Sequence, residues 1–454
     1  MANFYYNQSD SSWYSDAAYT TAANILTITT GDIVYGDLSS VFLAYANLTG
    51  VNLSNVTSVA GADFVGATLT GAILPSNISG AVFVGANLAG ADLSNVTSVA
   101  GTNFNYANLT GVDFSNVTDM IGANFNYANL TGVDFSNVTS VAGADFVGAN
   151  LTGVDFSNVT SVAGANFNGS DLTNVNFGNA TNWSSVNFAN STLTGAILPS
   201  NISGAVFIGA NLAGADLSNV TNIEGTAFGS SFEAPANLTG VDFSNVTDMI
   251  GANFNYVDLS NVNFGNVTNM TGVNFSYANL TNVNFGNVTN MTGVNFSYAN
   301  LTNVNFGNVT NWSSVNFVNS TLTGAILPSN ISGVDFQSTT IAGADFSNVT
   351  NIEGTYFNYL DLTGVDFSNI TNWNGANFNG SDLTGATFPS NISGSYGNVY
   401  FINGVATTLD SSGNGEWNGQ TYVNGVVQGG GGPTGTLTKI AGSAKFYGKV
   451  KFVR

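Results

Sequence analysis

Histidine and cysteine are absent from this 454-residue chain, and no lysine or arginine occurs before Lys439. Without cysteine there is no disulfide framework and no thiolate nucleophile, and the redox compartment is left open. Without histidine, the commonest general base and transition-metal ligand near neutral pH is missing. The body of the chain has nothing with which to neutralise phosphate, which excludes nucleic-acid binding there. No apolar run reaches about 18 residues, so no membrane-spanning helix is expected. The opening MANFYYNQSDSSWYSD has neither a basic n-region nor an apolar h-region, so no classical signal peptide is expected either.

Charge of any kind is scarce. Charged residues make up 7% of the chain, and five cations (Lys439, Lys445, Lys449, Lys451 and Arg454) against 26 acids leave a net charge of −21. All the cations lie in the last sixteen positions, so an anionic body precedes a basic tail. Paired carboxylates are the one acid-base device left, and aspartate in a repeat is first of all a surface pattern. No enzyme activity is expected, and no cofactor.

What is abundant is glycine (54 residues), phenylalanine (33) and a repeat. Residues 144–164 read ADFVG ANLTG VDFSN VTSVAG, three units of five and one of six, and the block recurs with variations over residues 41–394. An apolar residue every fifth position suits neither a helix at about 3.6 residues per turn nor a flat strand at 2. It fits a coil with four short sides and a corner in each unit, a solenoid that grows by nearest-neighbour contacts.

The units ANLTG, ADFVG, ADLSN and ANFNG resemble those of pentapeptide-repeat proteins. The resemblance implies an all-β fold, a right-handed quadrilateral β-helix, with the central Phe or Leu and the small residue two before it pointing inward. The coils number seventeen: twelve of 21 residues, four of 19 and one of 26. At a strand spacing of ~4.8 Å, such a stack would be roughly 80 Å long. The fourth side has six residues in VTSVAG, VTDMIG and VTNMTG but four in NISG, at Asn77, Asn201, Asn330 and Asn391, each preceded by a proline corner at Pro75, Pro199, Pro328 or Pro389.

The inward rows follow. Side one stacks Phe64, Phe83, Phe104, Phe125, Phe146 and onward to Phe378; side two stacks Leu48, Leu69, Leu88, Leu109, Leu130, Leu151 and onward to Leu383. Side three carries Phe114, Phe135, Phe156, Leu198 and Phe243, and side four Val59, Met120, Val141, Trp183, Met270, Trp312 and Trp373. These rows are the expected core. The coil of 26 residues, with Phe228, Phe232 and Pro235, is expected to loop out of the wall.

The solenoid is flanked by small β modules. Residues 1–40 are read as an N-terminal cap or attachment module, with one or two strands in ILTITTGDIVYG broken at Gly31. Residues 395–428 hold two Asn-Gly hairpin signals, YFINGVA and TYVNGVV. A Gly-rich linker (429–438) precedes a basic amphipathic strand (439–454), in which Phe446, Val450 and Phe452 alternate with Lys445, Lys449 and Lys451. These six residues are the candidate site for assembly by strand docking.

Three other patterns invite a functional reading. Asp92, Asp113, Asp134 and Asp155 should stack outward with no cation near; unit charges so close repel by roughly 1 kcal/mol even in water, so the row could recruit weakly bound Ca²⁺ or be screened by ordinary salt. Thr110, Thr131, Thr152, Thr173 and Thr194 form an outward ladder that could order water as ice-binding solenoids do, or be plain β-surface. DSSGNGEW from Asp410 opens like a calcium loop, but Thr421 stands where the twelfth-position Glu belongs, and a turn between strands fits better. The many Asn-X-Ser/Thr sequons are a by-product of the repeat.

The opening segment resembles the aromatic-rich starts of viral and marine fibre-like proteins, and INGVATTLDSSGNGEWNGQTYVNGVV resembles a module found in such proteins. The expected function is accordingly a structural one: a rigid subunit of a virion fibre or extracellular surface filament, assembling head to tail with copies of itself, with other virion or surface proteins as further partners. The pentapeptide resemblance implies the alternative of an acidic DNA mimic that binds topoisomerase. An ice- or glycan-binding solenoid is the third class.

Overall fold

The computed structural model describes residues 2–9, 11–15, 22–23, 28–230 and 234–389, together with six short strands between residues 394 and 428. It divides into two compact units, Met1–Val246 and Thr247–Arg454.

Each letter of the repeat has a physical reason, visible in residues 107–111 (ANLTG). Ala107 and Leu109 are buried. Asn108 faces out and pairs in parallel with Asn87 on one neighbouring coil and Asn129 on the other. The chain then turns: the Val112 N–H donates to the Leu109 carbonyl at 3.0 Å, with Gly111 at φ 67°. A type II turn demands positive φ at its second central residue, which glycine adopts without a Cβ penalty. Asn108 Oδ1 accepts the Thr110 N–H at 3.2 Å, an Asx turn that satisfies a donor the corner would otherwise leave unpaired.

Coil length can be read from the bridges. In the first unit an unbroken run of nine parallel bridges links Phe42 to Ala227, and another nine link Asn47 to Asn237. Partners lie 21 residues apart in most coils, 19 apart at Asp63↔Val82 and Asn187↔Val206, and 26 apart at Asn211↔Asn237. The long coil closes its loop where the Ala236 N–H donates to the Phe228 carbonyl at 2.7 Å, with Phe228 still in the core; Phe232 lies outside the described residues. In the second unit six bridges run from Asn253 to Asn377, again 21 residues apart except for 19 at Asn316↔Asp335.

The core is a set of like-on-like ladders. Phe104, Phe125 and Phe146 are fully buried and stack at centroid distances of 5.0 and 5.1 Å. Phe135 meets Phe125 edge-on at 6.3 Å. Offset stacks and edge contacts are the two favourable aromatic geometries. Leu109, Leu130 and Leu151 fill the second side, and Met120, Val141 and Trp183 the fourth, all buried. Leu383, in the last described coil, is only half-buried.

The shortened coils carry a compensation that hydrophobic pattern alone does not expose. The second coil after each described NISG opens with a threonine at an inward position that other coils give to Ala or Val: Thr102, Thr226 and Thr355, each with no exposed surface. Their hydroxyls donate back to the carbonyls of Ile78, Ile202 and Ile331 at 2.9, 3.0 and 2.8 Å. A buried hydroxyl is tolerated only with such a partner. The fourth shortening, at Asn391, lies outside the described residues.

At the N-terminal end, β1 (Asn3–Asn7), β2 (Ser12–Tyr14), β3 (Ala22–Ala23), β4 (Ile33–Asp37) and β5 (Asn52–Ser58) form one sheet in the order β3-β2-β1-β4-β5. β4 pairs in parallel with β5, which belongs to the first coil, so the cap continues the coil stack and covers its open strand edge. In the described part of ILTITTGDIVYG, residues 28–36, only Ile33–Gly36 is strand; residues 28–31 are not, because the chain bends there around Asp32. Asp32 is buried and accepts the N–H groups of Ala2 at 2.6 Å and Thr29 at 2.8 Å and the Thr29 hydroxyl at 3.0 Å.

Two antiparallel three-stranded sheets follow the solenoid: β6 (Gly394–Tyr396), β7 (Val399–Ile402) and β8 (Val405–Thr407), then β9 (Gly415–Trp417), β10 (Gln420–Val423) and β11 (Val426–Gln428). The registers Ile402↔Val405 and Val423↔Val426 lie at the two Asn-Gly sites. Each hairpin has gained a third strand, and β6 already starts at Gly394. The end of the DSSGNGEW segment is strand β9, and its residues 410–414 lie outside the described residues.

Candidate functional site

The outer wall is built of short polar side chains, and most of their hydrogen-bonding capacity is spent on the corners. Asp92, Asp113, Asp134 and Asp155 are exposed, as the repeat requires, and Asp113 bridges Asp134. Yet each Oδ1 accepts the N–H two residues on, from Ser94, Ser115, Ser136 and Ser157, at 2.7 to 3.0 Å. The Ser115 hydroxyl, then its N–H, hold the Asp113 carboxyl below the usual carboxylate range. Among the described residues no three acidic side chains come together as a metal site. The carboxylates cap turns and do not converge.

The threonine ladder is spent in the same way. Thr110, Thr131, Thr152 and Thr173 donate their hydroxyls to Asn108, Asn129, Asn150 and Asp171 at 2.6 to 2.8 Å. They sit in the turns, while the bridge positions beside them are Asn108, Asn129, Asn150 and Asp171. Their protons are committed within the wall, which removes the feature that recommended an ice-ordering surface.

One corner carries an asparagine zipper. Asn158 and Asn179 donate from Nδ2 to the carbonyls of Ser136 and Ser157 in the coil before, at 2.5 and 2.7 Å. Where Pro328 takes over this corner, a shallow polar notch of about 440 Å³ opens, lined by Asn305, Gly307, Asn308, Ile326, Ser329 and Asn348. The same sequence recurs in the first unit, where Gly178, Asn176 and Ile197 repeat the contacts made around Gly307.

The most distinctive surface feature was not singled out by composition or spacing. Tyr45, Tyr106, Tyr127, Tyr256, Tyr277, Tyr298 and Tyr359 occupy corner positions that glycine takes in other coils, with φ between 55° and 64°. Bulky residues seldom adopt this left-handed conformation. Tyr256, Tyr277 and Tyr298 stack at 4.5 Å with interplanar angles of 8° and 2°, and Tyr106 and Tyr127 at 4.9 Å with 8°. All remain 43–78% exposed. Desolvation between its neighbours, then their mutual repulsion as phenolates, raises the Tyr277 phenol above its ordinary range. A Tyr recurring 21 residues apart, in the slot filled by Gly elsewhere, was the signal available in the sequence.

The core residues Phe104, Phe125, Phe146, Leu109, Leu130 and Leu151 are buried, so they bear on function only through stability. The assembly residues Lys445, Phe446, Lys449, Val450, Lys451 and Phe452 lie outside the described residues. No helix of the described residues is long and apolar enough to cross a membrane.

Comparison with known proteins agrees with this geometry. A pentapeptide repeat model matches in eight copies over residues 37–75, 76–97, 100–139, 329–369 and 371–389, and a pentapeptide repeat region model matches residues 236–311. Together they span just over half of the chain. The chain is a pentapeptide-repeat protein, and its solenoid is a right-handed quadrilateral β-helix. A BspA-type leucine-rich repeat model also matches residues 120–233, where the structure continues the same parallel-bridged coils. Among solved structures, QnrB1, a plasmid-mediated fluoroquinolone resistance protein, is similar at 18% identity and a TM-score of 0.26, covering 43% of this chain and 89% of its own. HetL, a pentapeptide repeat protein involved in heterocyst differentiation regulation in the cyanobacterium Nostoc, is similar at 19% identity and a TM-score of 0.14, covering 65% and 90%. No curated protein matches the chain.

Proposed function

We propose that this protein is a non-enzymatic structural subunit: a stiff, acidic spacer that assembles head to tail with copies of itself into a virion fibre or extracellular surface filament. The observation that supports this reading is the use of the polar groups. Backbone bridges run unbroken from Phe42 to Ala227, and the outward carboxylates and hydroxyls are turned into their own corners. A wall built in this way holds its neighbours and offers no convergent chemistry to a substrate. The basic segment carrying Lys445, Lys449 and Lys451 is the part suited by charge to a neighbour's acidic wall, with Phe446, Val450 and Phe452 as its apolar face. Electron microscopy of the full chain should show filaments, and removal of residues 433–454 should leave separate particles. Filaments persisting without that segment would refute the docking mechanism.

The body's 26 acids and lack of cations favour, as a second reading, a DNA mimic that binds topoisomerase. Against it, the Asp92–Asp155 row presents one carboxylate per coil, whereas duplex DNA carries one charge per ~1.7 Å. An assay of topoisomerase supercoiling separates the two: the spacer leaves it unchanged, the mimic inhibits it.

A further inference from the structure

We propose that the stacked corner tyrosines are a site of oxidative modification, at which a haem peroxidase with hydrogen peroxide couples neighbouring rings into dityrosine and so staples one coil to the next. The inference holds whether or not the chain forms filaments.

The fold does not need these rings. At the same corner Gly85, Gly148 and Gly169 serve equally well, and a Cβ added at Gly85 or Gly169 would meet nothing within 4 Å. A tyrosine held at positive φ on an exposed corner carries backbone strain with little burial in return, which is the circumstance in which a functional constraint is to be sought.

The geometry suits radical coupling. Phenoxyl radicals combine from face-to-face contact, and Tyr277 has a parallel ring 4.5 Å away on each side. Among the described residues the sulfur reductants are absent or shielded: the chain has no cysteine, and the four described methionines, Met120, Met249, Met270 and Met291, have no exposed surface. Sulfur is normally the first side-chain target of peroxide-driven oxidation, so the exposed phenols become the accessible one.

The chemistry balances. Each of two tyrosines gives one electron and its phenolic proton to the peroxidase, forming two phenoxyl radicals. One new bond joins Cε of one ring to Cε of the other, and the hydrogen on each of those carbons moves to its phenol oxygen, restoring both aromatic rings. The two hydrogen atoms lost in all reduce one hydrogen peroxide to two waters.

Methionine positions make the test clean. Cyanogen bromide cleavage at Met249, Met270 and Met291 releases residues 250–270, with Tyr256 as sole tyrosine, and residues 271–291, with Tyr277 alone. After treatment of the full chain with haem peroxidase and limiting peroxide, these two fragments should travel as one species, two hydrogens lighter than their sum. The link should form independently of protein concentration, at least about tenfold faster than any link between chains, because the partners are already held together. Tyr277→Phe, a substitution on an exposed corner, should abolish the link while leaving the melting temperature unchanged. Tyr45 and Tyr359, 78% and 75% exposed and outside these stacks, are internal controls. Fragments that separate after the peroxide is consumed, or oxidation that follows exposure and falls mainly on Tyr45 and Tyr359, would overturn the proposal.

Discussion

The ring of Tyr127 lies across Gly148 of the following coil, so closely that a Cβ placed on Gly148 would come within 2.5 Å of Tyr127 Cδ1. Gly66 under Tyr45 and Gly380 under Tyr359 repeat the arrangement at 2.7 and 2.5 Å. Glycine at these corners therefore answers two demands, positive φ and room for an aromatic ring. Gly153 answers only the first, with nothing within 4 Å of its Cβ position. Gly153→Ala should destabilise by about 1–2 kcal/mol, the ordinary left-handed penalty. Gly148→Ala should cost more, because the ring must also move, and Tyr127→Ala should bring it back to the Gly153 value. Chemical denaturation of the wild type, the three single variants and the Gly148→Ala/Tyr127→Ala double variant checks the cycle.

The phenylalanine ladder sets the scale of core stability. Phe125 sits between Phe104 and Phe146 with Phe135 edge-on, and none of the four is exposed. Phe125→Ala should destabilise by about 3–5 kcal/mol, the range for deleting a buried aromatic from a core that cannot collapse around the gap. Phe125→Asp should be worse, through an unpaired buried charge. Both are read from the midpoint of a denaturant melt followed by circular dichroism.

Acid should loosen the N-terminal cap. The Ala2 N–H, opposed by desolvation and reinforced by the Thr29 N–H and hydroxyl, holds the Asp32 carboxyl below the usual range. A depressed folded-state pKa means that the ionised form is favoured by folding. The stabilisation is therefore fully present above the unfolded pKa of about 3.9 and is lost as pH falls through the lower folded value. Asp32→Asn should remove that part of the acid sensitivity; hydrogen exchange of β1 and β4 between pH 5 and 2 is the measurement.

Calcium should act on the aspartate row only as a salt. Each carboxylate of Asp92, Asp113, Asp134 and Asp155 has one oxygen committed to its own turn. Millimolar Ca²⁺ should shift the melting temperature no more than Mg²⁺ at matched ionic strength. A calcium-specific rise would instead mark a site at which carboxylates of adjacent coils converge.

The inward threonines should prove specific to the positions at which a hydroxyl reaches the isoleucine of NISG. Thr102→Val removes a buried hydroxyl whose partner is the Ile78 carbonyl at 2.9 Å. It should cost about 1 kcal/mol, the net value of a buried hydrogen bond. The opposite change at a site that no NISG segment faces, Ala123→Thr, should destabilise by more, since a hydroxyl at that buried site needs a partner of its own. Equal effects at the two sites, read by thermal melting, would separate the threonine from the NISG shortening.

The sequence by itself determined the coil: period five, which residues point inward, where coils shorten to 19 residues or lengthen to 26, and where the cations lie. Those are properties of a local rule repeated, in which one unit's chemistry dictates one corner. Tertiary structure alone decided what happens between coils. Whether an outward Asp meets a cation or caps its own turn, whether a threonine hydroxyl faces water or an asparagine, and whether tyrosines 21 residues apart stack or splay all depend on contacts across about 4.8 Å of coil spacing. A one-dimensional pattern names the residues on a face, and the geometry of neighbouring coils sets what their side chains are left free to do.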